Sequence, residues 1–307
     1  LCDFIEGKSE LKKVELKNYE NDAKSGEYDS DLKYVRGQFV ARRALEVAVS
    51  GNHNIILEGP PGAGKTMLAK CIPSIMPDMS FAEALETTKI HSVAGTLKGS
   101  EGIVLKRPFM SPHHTASAAS ITGGGQSAKP GMVSLAHNGV LFLDEMPEYP
   151  RSVLGSLRQP LEDREITVSR VKANYRYPAN FILVGSMNPC PCGYYGSKDR
   201  ECTCSPYQIK RYKEKISGPL LDRIDIRINV DNVKYDDLAS GEESESSEEV
   251  RKRVNRTRAV QLERFKDDGI TSNGEMSEKH IKKYCKLSAE GEDVLRYAFE
   301  SLKMSAR

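Results

Sequence analysis

Nothing in these 307 residues approaches the run of about 20 apolar residues that a membrane-spanning helix needs, and there is no tryptophan. A helical span is excluded on that ground. A surplus of charge of either sign is missing too: 45 Lys and Arg stand against 43 Asp and Glu, a net of +2. This balance argues neither for nor against nucleic acid, and any basic surface has to be local. Cysteines are few and unevenly placed. Four of the seven fall between residues 190 and 204, and Cys2, Cys71 and Cys285 are scattered. An odd count in that arrangement does not suit a disulfide framework. It suits a reducing compartment, the cytoplasm, and one metal site. There is no internal repeat.

What is present is the composition of a globular protein, 38% hydrophobic and 29% charged, long enough for about two domains. The chain opens at Leu1 rather than Met and stops at Arg307 inside a helical pattern, so it reads as a fragment, and the lack of a targeting segment carries no information.

The most informative stretch is Gly59-Pro60-Pro61-Gly62-Ala63-Gly64-Lys65-Thr66. It fits G-x-x-x-x-G-K-[ST], the phosphate-binding loop. Glycines at 59, 62 and 64 keep side chains away from a closely wrapped triphosphate. The helix that follows adds positive partial charge. Lys65 reaches the β- and γ-phosphates, and Thr66 offers its hydroxyl to Mg²⁺. Residues 54–58 read as a buried strand and 67–72 as helix, the order the motif requires. The plain alternative, a Gly/Pro turn with an exposed lysine, does not explain that order.

A second apolar run, Val140-Leu141-Phe142-Leu143, ends in Asp144-Glu145. This predicts a buried strand delivering two carboxylates at its C-terminal edge, where ligands sit in open α/β sheets. Asp144 is expected to hold Mg²⁺ and Glu145 to polarise the attacking water. A third buried strand, 181–185, runs into Ser186-Met187-Asn188-Pro189. An amide at Asn188, beside those acids, suits a group that senses the γ-phosphate or orients water.

Cys190-Pro191-Cys192 and Cys202-Thr203-Cys204 form C-x-C pairs separated by nine residues. Four thiolates suit tetrahedral Zn²⁺ as a staple, since they leave no open position, although the usual pair spacing is C-x₂₋₄-C. The alternative is four reduced thiols, or two disulfides on oxidation.

Around these motifs, residues 1–30 read as the tail of an upstream domain and a linker. Residues 31–232 read as an α/β nucleotide-binding domain, with a helix over 39–49, another over 81–89, a glycine-rich irregular insert over 95–131 and a helix over 152–161. Residues 165–177 alternate as a β-hairpin with Arg170 and Lys172 near its tip. A basic helix over 208–217 precedes Leu221-Asp222-Arg223. Residues 226–230 alternate as a strand. Residues 233–249 read as an acidic linker, and 250–307 as a small helical domain with Val294, Leu295, Tyr297, Ala298 and Leu302 on one apolar face.

The ordered set resembles the AAA+ ATPases of the magnesium-chelatase/MCM-like branch. Arg107-Pro108-Phe109, Pro112-His113-His114, Gly123-Gly124-Gly125, residues 134–139 and the 190–204 knuckle narrow the resemblance to the magnesium chelatase-like proteins of ComM/YifB type. The resemblance runs from about residue 31 to the end. It implies a P-loop core with a central parallel sheet flanked by helices, a C-terminal helical lid, and a homo-oligomeric ring, a hexamer, with ATP and Mg²⁺ between subunits. Val35, Gly37 and Gln38 would lie near the adenine. Asn188 would be the first sensor, Arg223 an arginine finger entering the neighbour's site, and Arg307 the second sensor. It also implies DNA as client, moved by a branch-migrating helicase, with Arg170 and Lys172 touching phosphates in the ring pore. A motor on a protein client shares the same ATP site and is the alternative. A nucleotide- and zinc-binding scaffold with little turnover is a third reading, disfavoured by the intact Glu145.

Overall fold

Five apolar or alternating segments build the central sheet, and their pairing decides what meets at its edge. The computed structural model describes residues 28–97, 102–124, 128–169, 174–197, 200–233 and 244–302. Its strands are β1 (Ile55–Glu58), β2 (Phe109–Met110), β3 (Gly123–Gly124), β4 (Lys129–Pro130), β5 (Val140–Leu143), β6 (Glu165–Ser169), β7 (Asn174–Pro178), β8 (Ile182–Met187) and β9 (Ile226–Asn229). The helices are α1 (Phe39–Gly51), α2 (Lys65–Ile75), α3 (Phe81–Ala94), α4 (Ala118–Thr122), α5 (Met132–Leu135), α6 (Arg151–Ser156), α7 (Arg158–Asp163), α8 (Pro206–Lys213), α9 (Gly218–Leu221), α10 (Ser247–Arg264), α11 (Glu278–Tyr284) and α12 (Ala289–Leu302).

The sheet runs β2-β5-β8-β1-β9, with every pair parallel. Successive strand residues face opposite sides. Ile55, Leu57, Val140, Phe142, Ile182 and Val184 enter one core with α1 and α2. Ile56, Leu141, Leu143 and Leu183 enter a second core with α6 and the residues after β5. A sheet covered on both faces needs apolar residues at consecutive positions, which is why β5 is apolar throughout and β1 and β8 open on three apolar residues in a row.

Several boundaries differ from the sequence reading for identifiable reasons. The strand expected to end at Gly185 continues to Met187, so Ser186 lies within the sheet and is 1% exposed. The single helix expected over 152–161 is two, α6 and α7, meeting at Leu157. Gly155 favours a break and Pro160 lacks a backbone N–H. The helix expected from 81 to 89 runs on to Ala94, opened by a reciprocal Ser80–Glu83 capping box and closed by Gly95 at φ 75°. The end of the acidic segment is not free chain. Ser246 caps α10 with Glu249. Buried Ser247 accepts the Leu32 N–H at 2.8 Å and a hydrogen bond from Ser74 Oγ at 2.7 Å, while its own N–H goes to Asp31.

The insert is anchored at its front by Arg107. Its guanidinium donates to Pro77 O at 2.5 Å and to Asn138 O at 2.8 Å and pairs with Glu83. The expected hairpin is present as β6 and β7, antiparallel from Glu165↔Pro178 to Ser169↔Asn174. It lies against the insert's own β3–β4 pair, where Tyr177 Oη donates to Ala128 O at 2.8 Å. The connection carrying Arg170 and Lys172 lies outside the described residues. The apolar face of α12 has no partner among the described residues: Val294, Tyr297 and Leu302 are 69%, 75% and 73% exposed.

Candidate nucleotide site and four-cysteine knuckle

Strand order alone brings the candidate residues together. The phosphate loop follows β1 and the acid pair follows β5. Between them in the sheet stands β8, which ends next to Asn188. This crevice beyond the carboxyl ends of the strands is where open α/β sheets bind ligands.

The loop's shape follows from its glycines. Gly62 and Gly64 hold φ of 81° and 87°, which a residue with a Cβ adopts only at a cost. Gly59 has a different reason. A Cβ there would lie 2.1 Å from Val230 O, so the backbone of the β9 exit sits directly on the loop. Gln38 braces the other side, donating from Nε2 to Ala63 O at 3.2 Å and to Asp231 O at 2.5 Å. Its neighbour Gly37 also has positive φ, 59°. Val35 is 4% exposed and packs in the core.

Lys65 opens α2 and is 9% exposed. Its ammonium donates to Gly59 O at 2.6 Å, Pro60 O at 2.8 Å and Asn188 Oδ1 at 3.1 Å. Burial pulls its pKa below the usual lysine value, and Asp144 and Glu145 oppose that pull. Thr66 Oγ1 donates to Asp144 Oδ2 at 3.0 Å. The structure therefore joins Lys65, Thr66, Asp144 and Asn188 in one contiguous cluster. Glu145 stands beside it, exposed, with φ 51° and ψ 47°. A left-handed conformation at a glutamate stores strain of about 1 kcal/mol or more, of the kind found at functional sites.

Ser186 was missed in the sequence. Its hydroxyl donates to Asp144 Oδ1 and accepts the Glu145 N–H at 3.0 Å, so it holds the Asp144 carboxylate and the Glu145 backbone at once. The signal was register. Leu143 stands opposite Gly185, so the residues after each face each other one step on.

Arg223 is not presented to solvent as the finger reading expected. Its side chain is 12% exposed, paired with Glu162, and donates to Pro219 O at 2.6 Å. The acids beside it in the sequence, Asp222 and Asp225, are not the partners it uses. Asp225 instead accepts the Asn54 N–H at 3.0 Å. The His113 and His114 rings lie tilted against one another, with centroids 4.1 Å apart and planes at 34°, and His114 also meets Tyr149 edge-on. Arg307 lies outside the described residues.

The four cysteines converge. Their sulfurs all lie within 4.8 Å of one another, with Cys190–Cys192, Cys192–Cys202 and Cys190–Cys202 at 3.3, 3.6 and 3.7 Å. Zinc–sulfur bonds of about 2.3 Å in a tetrahedron put sulfurs about 3.8 Å apart, so the donor set fits. Backbone N–H groups of Tyr194 and Thr203 lower the Cys192 thiol, while burial and the neighbouring sulfurs raise Cys202 and Cys204, so the four do not ionise together without a cation among them. Next to the knuckle, a cleft of about 590 Å³ is walled by Gly59, Pro60, Gly193, Tyr195, Lys213 and Asp231.

With this geometry in hand, comparison with known proteins is informative. The sequence matches the family described as magnesium chelatase, subunit ChlI, over residues 31–238, and the C-terminal part of that subunit over 244–307. It is 43% identical over 285 residues to the competence protein ComM of Haemophilus influenzae, covering 92% of this chain and 54% of that one. It is 40% identical over 311 residues to the uncharacterized protein YifB of Escherichia coli, covering all of this chain and 59% of that one. The chain thus spans little more than half the length of these relatives. A chain from the BchI–BchD magnesium chelatase complex overlays with a TM-score of 0.47 at 18% identity, over 89% of this chain and 74% of that one. No helix among the described residues is long and apolar enough to cross a membrane. The two family matches, the parallel sheet and the phosphate loop agree: the chain belongs to the magnesium chelatase subunit ChlI family of AAA+ ATPases, together with ComM and YifB.

Proposed function

We propose that the protein is an ATP-hydrolysing motor, a ring-forming DNA translocase of ComM type working in the cytoplasm. The observation that carries the ATPase reading is the direct contact of Lys65 with Asn188 and of Thr66 with Asp144 across three neighbouring strand ends. ATP is the substrate. Backbone N–H groups of the loop and the start of α2 bind its phosphates, with Lys65 as the mobile cation. Gly37 and Gln38 place the segment beside the adenine, and buried Val35 supports that segment from the core. Thr66 and Asp144 would hold Mg²⁺, which when bound neutralises charge developing on the phosphate oxygens. Glu145 takes the proton of the attacking water, held in place through its backbone by Ser186. Asn188 orients that water or the γ-phosphate. Cys190, Cys192, Cys202 and Cys204 would hold a structural Zn²⁺ that closes the loop after Asn188.

Arg223 is assigned to the neighbour's site in a hexameric ring. It must first leave Glu162, so its action is conditional on assembly. Subunits carrying Arg223→Ala, mixed with subunits carrying Lys65→Ala, should regain part of the turnover that each lacks alone. Absence of any rescue would count against action in trans.

DNA as client is supported by the likeness to a protein named for competence and by Arg170 and Lys172 in the β6–β7 connection. The deciding experiment is ATP turnover by the full chain with branched and single-stranded DNA over a range of salt. Turnover should rise several-fold with DNA and lose that rise as salt increases, because phosphate contacts release counterions. Turnover indifferent to DNA at low salt would transfer the motor to a protein client.

A further inference from the structure

The knuckle follows Asn188 so closely that the two cannot be positioned independently. Pro189 alone separates Asn188 from Cys190, and proline fixes its own φ. Cys190 is buried, and its carbonyl accepts the Gly193 N–H at 3.0 Å. That turn sets Gly193, at φ 87°, directly on the phosphate loop. A Cβ built there would lie 2.6 Å from Pro61 Cδ and 2.8 Å from Cγ. Helix α8, which leaves the knuckle, adds a second tie. Its Lys213 pairs at 3.4 Å with Glu58, the last residue of β1 before the loop.

Other holds on the loop, Val230 O over Gly59, the Gly59 N–H to Met187 O at 3.1 Å and Gln38 on Ala63, come from the ends of β9 and β8 and the start of α1. The hold on Pro61 is different. Between β8 and α8 the described residues form neither helix nor strand. The sulfur cluster is what ties residue 190 to residue 204, and a loop of that kind takes its shape from its metal.

We infer that the four-cysteine knuckle is a clamp on the phosphate loop: zinc at Cys190, Cys192, Cys202 and Cys204 keeps Gly193 against Pro61 and Asn188 beside Lys65, so that metal and nucleotide strengthen each other's binding. This rests on the nucleotide and zinc readings above. Coupling between two sites is reciprocal, which gives it a signature that activity alone would not. Protein stripped of zinc should bind a fluorescent ADP analogue about tenfold more weakly, a typical factor for coupled sites. ADP should tighten zinc binding by the same factor, read from equilibrium competition with a chromophoric chelator.

Gly193→Ala separates the contact from the metal. It should keep one equivalent of zinc and weaken the ADP analogue by a similar factor. In stripped protein the same substitution should add little, because the contact it disturbs is already released. Should Gly193→Ala fail to fold, Pro61→Ala tests the same contact from the other side. Unchanged affinity on stripping, or losses that simply add, would overturn the clamp. A protein that binds no zinc even when it is supplied overturns the metal half. Nucleotide affinity that survives Lys65→Ala would instead remove the site reading on which both halves stand.

Discussion

Lys65→Ala should lower affinity for ATP by about a hundredfold or more. A hydrogen bond from a charged donor is worth about 1.5–3 kcal/mol, and the ammonium serves two phosphate groups in the proposed site, so roughly 3 kcal/mol is at stake, or about 10² in affinity. The fold should tolerate the change. Position 65 begins α2, where alanine is a good helix former, and the three acceptors released, Gly59 O, Pro60 O and Asn188 Oδ1, border the crevice. Titration with a fluorescent ATP analogue, alongside the thermal midpoint of the variant, measures both halves. Affinity within a few-fold of the parent would reject the loop assignment.

Glu145→Gln should leave that affinity in place and cut turnover by about a hundredfold or more, the usual scale for removing a positioned general base. The substitution keeps the side chain's size and retains its ability to orient water, but it cannot accept the proton. It also leaves the Glu145 N–H to Ser186 untouched. Phosphate release under saturating ATP is the readout. Turnover reduced less than threefold would place the base elsewhere.

Much of the site was legible because phosphate chemistry forces residue types at fixed spacing. Gly59 to Thr66, and Asp144-Glu145 after four apolar residues, are sequence signatures of that kind. So were the three inner strands of the parallel sheet, β1, β5 and β8, whose apolar stretches announce burial on both faces, and β9 by its alternation, whereas β2 lies within the stretch read as an irregular insert. Contacts set by register or by distant backbone were not legible. Ser186 reads as a turn residue until β8 is known to extend past it. Gly59 looks like a loop glycine, although its reason is Val230 O, 171 positions along the chain. Arg223 was read from its sequence neighbours, whereas its partner Glu162 comes from another helix. The acidic stretch ending at Glu249 reads as a solvated linker with an N-cap for the next helix, and the cap is there at Ser246, but nothing local shows that Ser247 is enclosed by Asp31, Leu32 and Ser74.

The first strand of the sheet to be made, β1, has a cost during synthesis. Ile55 pairs with Val184 on one side and with Ile226 on the other. When a ribosome has released β1, neither neighbour exists, and the second arrives only after most of the domain has been translated. Pairings so distant in sequence are slow to form and leave strand edges open to aggregation meanwhile. The emerging polypeptide therefore carries an unpaired apolar ribbon for much of its translation, which makes it a natural customer for chaperones that shield nascent chains.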